Sequence, residues 1–210
     1  MPTTLLWDHD GVLVDTEGLY FRATREVLAR VGVELSEQHY RELFLVQARG
    51  AWHLAEAAGV DADTLETLEH ARNARYTELL TTHDVLVPGV LPLLDRLRAR
   101  YRMAIVTSSR RMHFDAIHRT SGVPERFELV LAREDYEHAK PDPEPYLTAM
   151  ARLGVGPEEC LVIEDSERGL LAAHGAGIRA WALPSPLTRA SSFALAERCF
   201  DSLAQLAQAL

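Results

Sequence analysis

From Val85 onward, short apolar runs alternate with amphipathic stretches, and nothing else in the chain restricts its fold as strongly. Strands that alternate with helices build a parallel sheet covered on both faces. The runs at 103–106, 129–131, 160–163 and 178–183 are the expected strands, joined by an N-terminal run at 5–7. Helices are expected from Pro88 or Gly89 to about 100, over 111–120, from Asp142 or Pro143 to 153, and over 167–174 before Gly175. The tail, 201–210, reads as a helix capped by Asp201 or Ser202.

Between Asp15 and Leu80 the periodicity is helical and no strand interrupts it. A helix over 17–31 sets Tyr20, Phe21, Ala23, Thr24, Val27, Leu28 and Val31 on one stripe and stops at Gly32. A second starts after Ser36 and carries Tyr40, Leu43 and Phe44; a third covers 51–58 before Gly59, and a fourth 62–81. The fold expected is therefore α/β: a Rossmann-like parallel sheet with helices on both faces, built from 1–14 and 83–210. A small helical bundle, 15–82, is inserted into it.

The first strand ends in Asp8-His9-Asp10-Gly11, which sets two carboxylates one residue apart at the carboxyl edge, where α/β sheets keep their ligands. Acids this close repel each other, so they need different protonation states or a divalent cation, and a hard, oxygen-liganded ion such as Mg2+ meets the second need. Asp and Gly also make ordinary turns, so the pair alone does not settle the matter. Other strand ends do. Thr107, Lys140, and Glu164 with Asp165 follow later strands, and a parallel sheet brings all these ends to one edge. Acid, hydroxyl and ammonium together describe a site for a metal and a phosphate. Of 22 basic residues only Lys140 is lysine, which points to a place that needs a compact point charge instead of a planar guanidinium.

With 210 residues, 47% of them hydrophobic, the chain can bury a substantial core. A net charge of -9 and no basic cluster argue against nucleic acid or an anionic membrane, and leave a small molecule as the partner. Cys160 and Cys199 make neither a disulfide framework nor a metal spacing and read as buried hydrophobes in a reducing cytoplasm. The N-terminus lacks a charged leader and no window is long and apolar enough for a membrane span. A monomer or weak homo-oligomer is expected.

The motifs DHDGVLVDTE, VTSS, AKPDPEPY and VIEDSERG occur in that order. In them the chain resembles the haloacid dehalogenase superfamily, within the β-phosphoglucomutase-like branch of phosphatases and phosphomutases that carry a helical cap after the first strand. The resemblance spans essentially the whole chain. It implies a Mg2+-dependent phosphomonoester hydrolase working through an aspartyl-phosphate. Asp8 would be the nucleophile and Asp10 the general acid and later base. Thr107 would donate to a phosphoryl oxygen, and Lys140 would neutralise developing charge. Asp165 would ligate Mg2+ with Asp8 and the Asp10 carbonyl, with Glu164 as a further ligand or a supporting partner.

The acid at position 10 and the Glu164-Asp165 pair speak against attack on carbon, and the absence of a lysine from the inserted helices excludes a Schiff base there. A sugar phosphomutase is the alternative reading. Relatives of that kind carry a cap His and Lys where this chain has Tyr20 and Leu45, so water is the expected acceptor. Arg49 is a candidate clamp for a distal anionic group, and Ser108, Ser109 and Arg110 are candidate substrate contacts. His9 stands where the family usually has an apolar residue. Strand alternation would aim it away from Asp8 and Asp10, as a hydrogen-bonded core or hinge residue. His53, His113, His118 and His138 show no metal spacing, and Trp52 reads as core.

Overall fold

The computed structural model describes residues 2–47, 49–189 and 191–210. It contains two compact units, one running to Asp15 and resuming at Val85, the other spanning Thr16–Asp84. In chain order, β1 (Thr4–Trp7) precedes the helices of the second unit: α1 (Glu17–Leu28), α2 (Glu37–Tyr40), α3 (Trp52–Ala57) and α4 (Ala62–Thr82). The first unit resumes with α5 (Val90–Leu97), β2 (Arg102–Val106), α6 (Arg111–His118), β3 (Leu129–Leu131) and α7 (Glu144–Leu153). It closes with β4 (Cys160–Glu164), α8 (Glu167–Gly175), β5 (Arg179–Ala182), β6 (Arg198–Cys199) and α9 (Leu203–Ala209).

The sheet order is β3-β2-β1-β4-β5-β6, and every pairing is parallel. Strand side chains alternate between two buried layers, as a doubly covered sheet requires. Leu5, Trp7, Met103, Ile105, Leu161 and Ile163 pack with α5, Phe114 of α6 and α9. Leu6, Ala104, Val106, Val162 and Ala180 pack with Tyr146, Ala149 and Met150 of α7 and Leu170 and Ala173 of α8. Strand order reverses beside β1, whose neighbours are β2 and β4, so the residues following β1 emerge at the switch point. The helical unit has its own core of Leu28, Val33, Leu35, Tyr40, Ala51 and Ala55, with Trp52 against it as the sequence suggests.

Several boundaries differ from expectation for local reasons. The first helix ends at Leu28 and tightens into a 3-10 turn over Ala29–Val31 before Gly32, whose φ is 75°. α2 continues as a π-helical turn, Arg41–Val46. Gly89 adopts φ 84°, so α5 starts only at Val90. β5 starts at Arg179 because the Ile178 N–H is taken by the Ala173 carbonyl at 2.9 Å, closing the end of α8. The edge strand β6 has no apolar run to announce it. Cys199 on it is exposed, not buried, because edge residues lack a covering layer; Cys160 is buried as expected. No helix among the described residues is long and apolar enough to cross a membrane.

Candidate active site

The Asp8 N–H donates to the Ile163 carbonyl at 2.8 Å, so Asp8 extends the ladder one step beyond β1. The chain then folds back on itself. The N–H groups of Leu13 and Val14 return to the His9 carbonyl at 2.8 and 3.2 Å, and Gly11 takes φ 84° within that turn. The turn carries Asp10 toward the end of β2, where the Ser109 and Thr107 hydroxyls donate to its Oδ2 at 2.8 and 3.2 Å. The Thr107 Oγ in turn accepts the Ser109 N–H at 3.0 Å, and the Thr107 carbonyl accepts the Tyr136 hydroxyl at 2.8 Å.

Lys140 is the hub. Its buried Nζ donates to Asp8 Oδ1 at 2.6 Å, Glu164 Oε1 at 2.7 Å and the Val106 carbonyl at 2.8 Å, which uses all three ammonium protons. The Tyr146 ring lies 4.9 Å from the ammonium, and its hydroxyl donates to Glu164 Oε1 at 3.0 Å. Glu164 Oε2 accepts the Asp165 N–H at 3.1 Å, the Ser166 N–H at 3.1 Å and the Ser166 hydroxyl at 2.9 Å. Five donors therefore converge on one buried carboxylate, more than the about four lone-pair sites it offers.

The electrostatics follow from that sharing. Burial opposes charge on every member, but the nearby Asp8 and Glu164 hold the Lys140 ammonium ionised well above its ordinary range. Glu164 is also desolvated, yet Lys140 and its hydrogen bonds keep it below the usual carboxylate value. Asp8 is left in excess: burial first, then the Glu164 charge, push it up to about 7 despite Lys140. One cation cannot neutralise two buried acids.

Asp8, Glu164 and Asp165 each place a carboxylate oxygen within 4.8 Å of the others. An all-oxygen set with surplus negative charge fits a hard divalent ion. Asp165 is held by the Thr188 hydroxyl, 3.2 Å from its Oδ2.

The structure thus gathers Asp8, Asp10, Thr107, Ser109, Lys140, Glu164 and Asp165 at one sheet edge. Ser108 is half-buried beside them, and Arg110 is exposed just before α6. Arg49 is exposed in the helical unit. Tyr146, Ser166 and Thr188 escaped the sequence reading. The first two lie inside or beside quoted motifs, whereas Thr188 sits in an irregular loop with no signal. His9 departs from expectation: it is fully buried, but its Nδ1 lies 3.1 Å from Asp10 Oδ2 instead of pointing away. The strand ends at Trp7 and its ladder at Asp8, so alternation no longer governs His9.

Residues 5–183 match the haloacid dehalogenase-like hydrolase family. Protein CbbY of Rhodobacter capsulatus is 35% identical over 218 residues, spanning 98% of this chain and 96% of its own. Fructose-1-phosphate phosphatase YqaB of Escherichia coli strain K12 is 31% identical, over 84% of this chain and 93% of its own. The crystal structure of CbbY from Rhodobacter sphaeroides in complex with phosphate superimposes with a TM-score of 0.83 at 30% identity, covering 98% of this chain and 96% of that one. The protein is a member of the haloacid dehalogenase-like hydrolase family.

Proposed function

We infer that this enzyme is a phosphatase of the family that hydrolyses the phosphate monoester of a small sugar. The observation that carries the reading is the Lys140 ammonium bridging Asp8 and Glu164 beside Asp165 at the carboxyl edge of the sheet. The names of the relatives support the substrate class, since YqaB is a fructose-1-phosphate phosphatase.

In this reading Asp8 attacks phosphorus in line, forming an aspartyl-phosphate while the P–O bond to the sugar breaks. Asp10 gives its proton to the departing alkoxide and then takes one from the water that cleaves the acyl-phosphate. Lys140 holds Asp8 in place and faces the charge that gathers on the phosphoryl oxygens. Thr107 and Ser109 fix the Asp10 carboxyl, and the Thr107 hydroxyl is assigned the further role of donor to a phosphoryl oxygen. Mg2+, held by Asp8, Asp165 and the Asp10 carbonyl, would supply charge neutralisation for nucleophile and phosphoryl group. Glu164, already filled by five donors, is assigned to holding Lys140 and the β4 turn.

The helical unit is assigned the role of a cap. Where the chain leaves and re-enters the sheet unit, the Asp15 N–H donates to Val85 and the Val87 N–H to Leu13, at 2.8 and 3.0 Å. Two crossings tied side by side suit a hinge. Tyr20 stands where a mutase would have its His, which favours water as the acceptor. The cytoplasm is the assigned compartment, in keeping with two free cysteines. A phosphate-release screen over sugar phosphates, with Mg2+ present and then chelated, tests the function. Release that needs Mg2+ and vanishes in Asp8→Asn is expected; a requirement for a sugar bisphosphate cofactor would instead mark a mutase.

A further inference from the structure

We propose that His9 and His118 form a buried positioning pair that fixes the Asp10 carboxyl for proton delivery to the leaving group. The proposal rests on the phosphatase reading, in which Asp10 is the general acid.

The bonding runs in one direction. Ser121 Oγ accepts the Val123 N–H at 3.1 Å and lies 2.7 Å from His118 Nδ1, toward which its hydroxyl proton can point. His118 then carries its own proton on Nε2 and gives it to His9 Nε2, 2.7 Å away. That assigns the His9 proton to Nδ1, which faces Asp10 Oδ2 at 3.1 Å. The direction is set from the other end: the Asp10 carboxylate only accepts, so with one proton per ring His9 Nδ1 donates to it, His9 Nε2 accepts from His118 Nε2, and His118 Nδ1 accepts from Ser121.

The pair is too costly to be filler. His9 is fully buried and His118 is 7% exposed, and both rings pack on Phe114, with centroids 5.0 and 4.5 Å from it. An apolar side chain would fill this volume without desolvating ring nitrogens. Burial first, then the neighbouring His9, hold His118 down to about 3, so it serves as a neutral hydrogen-bonding group. The functional return is at Asp10. His9, Thr107 and Ser109 all address Oδ2, and an oxygen engaged by three donors is a poor place for a proton. When Asp10 carries its proton, that proton belongs on Oδ1. The chain therefore selects which oxygen delivers it, a matter of orientation on which general-acid catalysis depends.

The test exploits leaving groups. An alkoxide needs a proton as it departs, whereas 4-nitrophenolate leaves without one, and kcat/KM reads only as far as phosphoryl transfer to Asp8. His9→Phe and His118→Phe should each lower kcat/KM for the best alkyl phosphate about tenfold more than for 4-nitrophenyl phosphate. His9→Asn, whose amide nitrogen replaces Nδ1, should recover most of that ratio. His118→Gln, which can still donate to His9 Nε2, should keep the wild-type ratio, and His118→Phe reads the loss should His9→Phe fail to fold. Equal losses on both substrates, in variants with wild-type circular dichroism, would overturn the pair as a positioning device. So would an Asp10→Ala enzyme that does not discriminate between the substrates. Absence of any phosphate release by the wild type would overturn the phosphatase reading itself, and the inference with it.

Discussion

A methyl group on Gly11 would sit 2.1 Å from Asp165 Oδ2, and Gly11 has φ 84°. The turn after β1 and the turn after β4 thus touch through a position that tolerates only hydrogen. Gly11→Ala should cost about 1–2 kcal/mol in backbone strain alone. It should also displace Asp165 and raise the Mg2+ concentration for half-maximal activity by about tenfold or more. Metal titrations of turnover check this; an unchanged requirement would detach Asp165 from the metal.

Removing the Lys140 ammonium leaves Glu164 and Asp8 buried without their cation. Lys140→Met should lower unfolding stability by about 3–5 kcal/mol, the usual consequence of breaking a buried pair from one side. Urea denaturation reads it. Turnover should fall to background as well, and a Lys140→Arg enzyme should not recover it, because a planar fork cannot occupy the place of three convergent ammonium bonds.

If Asp8 and Asp165 hold Mg2+, the ion stabilises the fold by mass action, by about 2.7 kcal/mol at a hundred times its dissociation constant. Thermal melts with and without the ion should show an upward shift in the wild type and almost none in Asp165→Asn. A shift retained by Asp165→Asn would place the ion elsewhere.

His118 gives stability a particular pH dependence. Its pKa is about 3 in the folded chain against an ordinary 6.5, so below 6.5 the unfolded state takes up a proton that the folded state refuses. Stability from this residue is complete above 6.5 and falls toward 3, by about 1.4 kcal/mol for each pH unit. Asp8, held up to about 7, contributes the opposite slope over part of that range, so the readout is a difference: in urea unfolding the wild type should lose stability relative to His118→Phe by that amount per pH unit between neutral and mildly acid pH.

The sequence offers Arg49 as a candidate clamp for a distal anionic group of the substrate. Arg49→Ala should raise KM for a sugar phosphate bearing a second anionic group by about tenfold, with little change for 4-nitrophenyl phosphate. Steady-state kinetics on the two substrates decide it; equal effects would count against the clamp.

The primary sequence was enough for five of the six parallel strands, the helical insertion and the acids at the carboxyl edge, but not for the edge strand β6. Short apolar runs, helical periodicity and stop residues such as Gly32 and Gly59 are local signals, whereas Gly175 stays inside α8; parallel topology converts strand ends into neighbours without further information. Lys140 was visible as the lone lysine of the chain. What tertiary structure alone decided is how the charges are shared. That Glu164 is filled by Tyr146 and Ser166 as well as Lys140, and that Asp8 consequently carries the surplus, depends on distances within a few ångströms. The direction of His9 was lost to sequence reasoning for a related reason: alternation ends with the strand at Trp7, and a turn aims each side chain by its own dihedral angles. His118 reaches His9 only through packing across 109 positions of chain, a contact that no local pattern encodes.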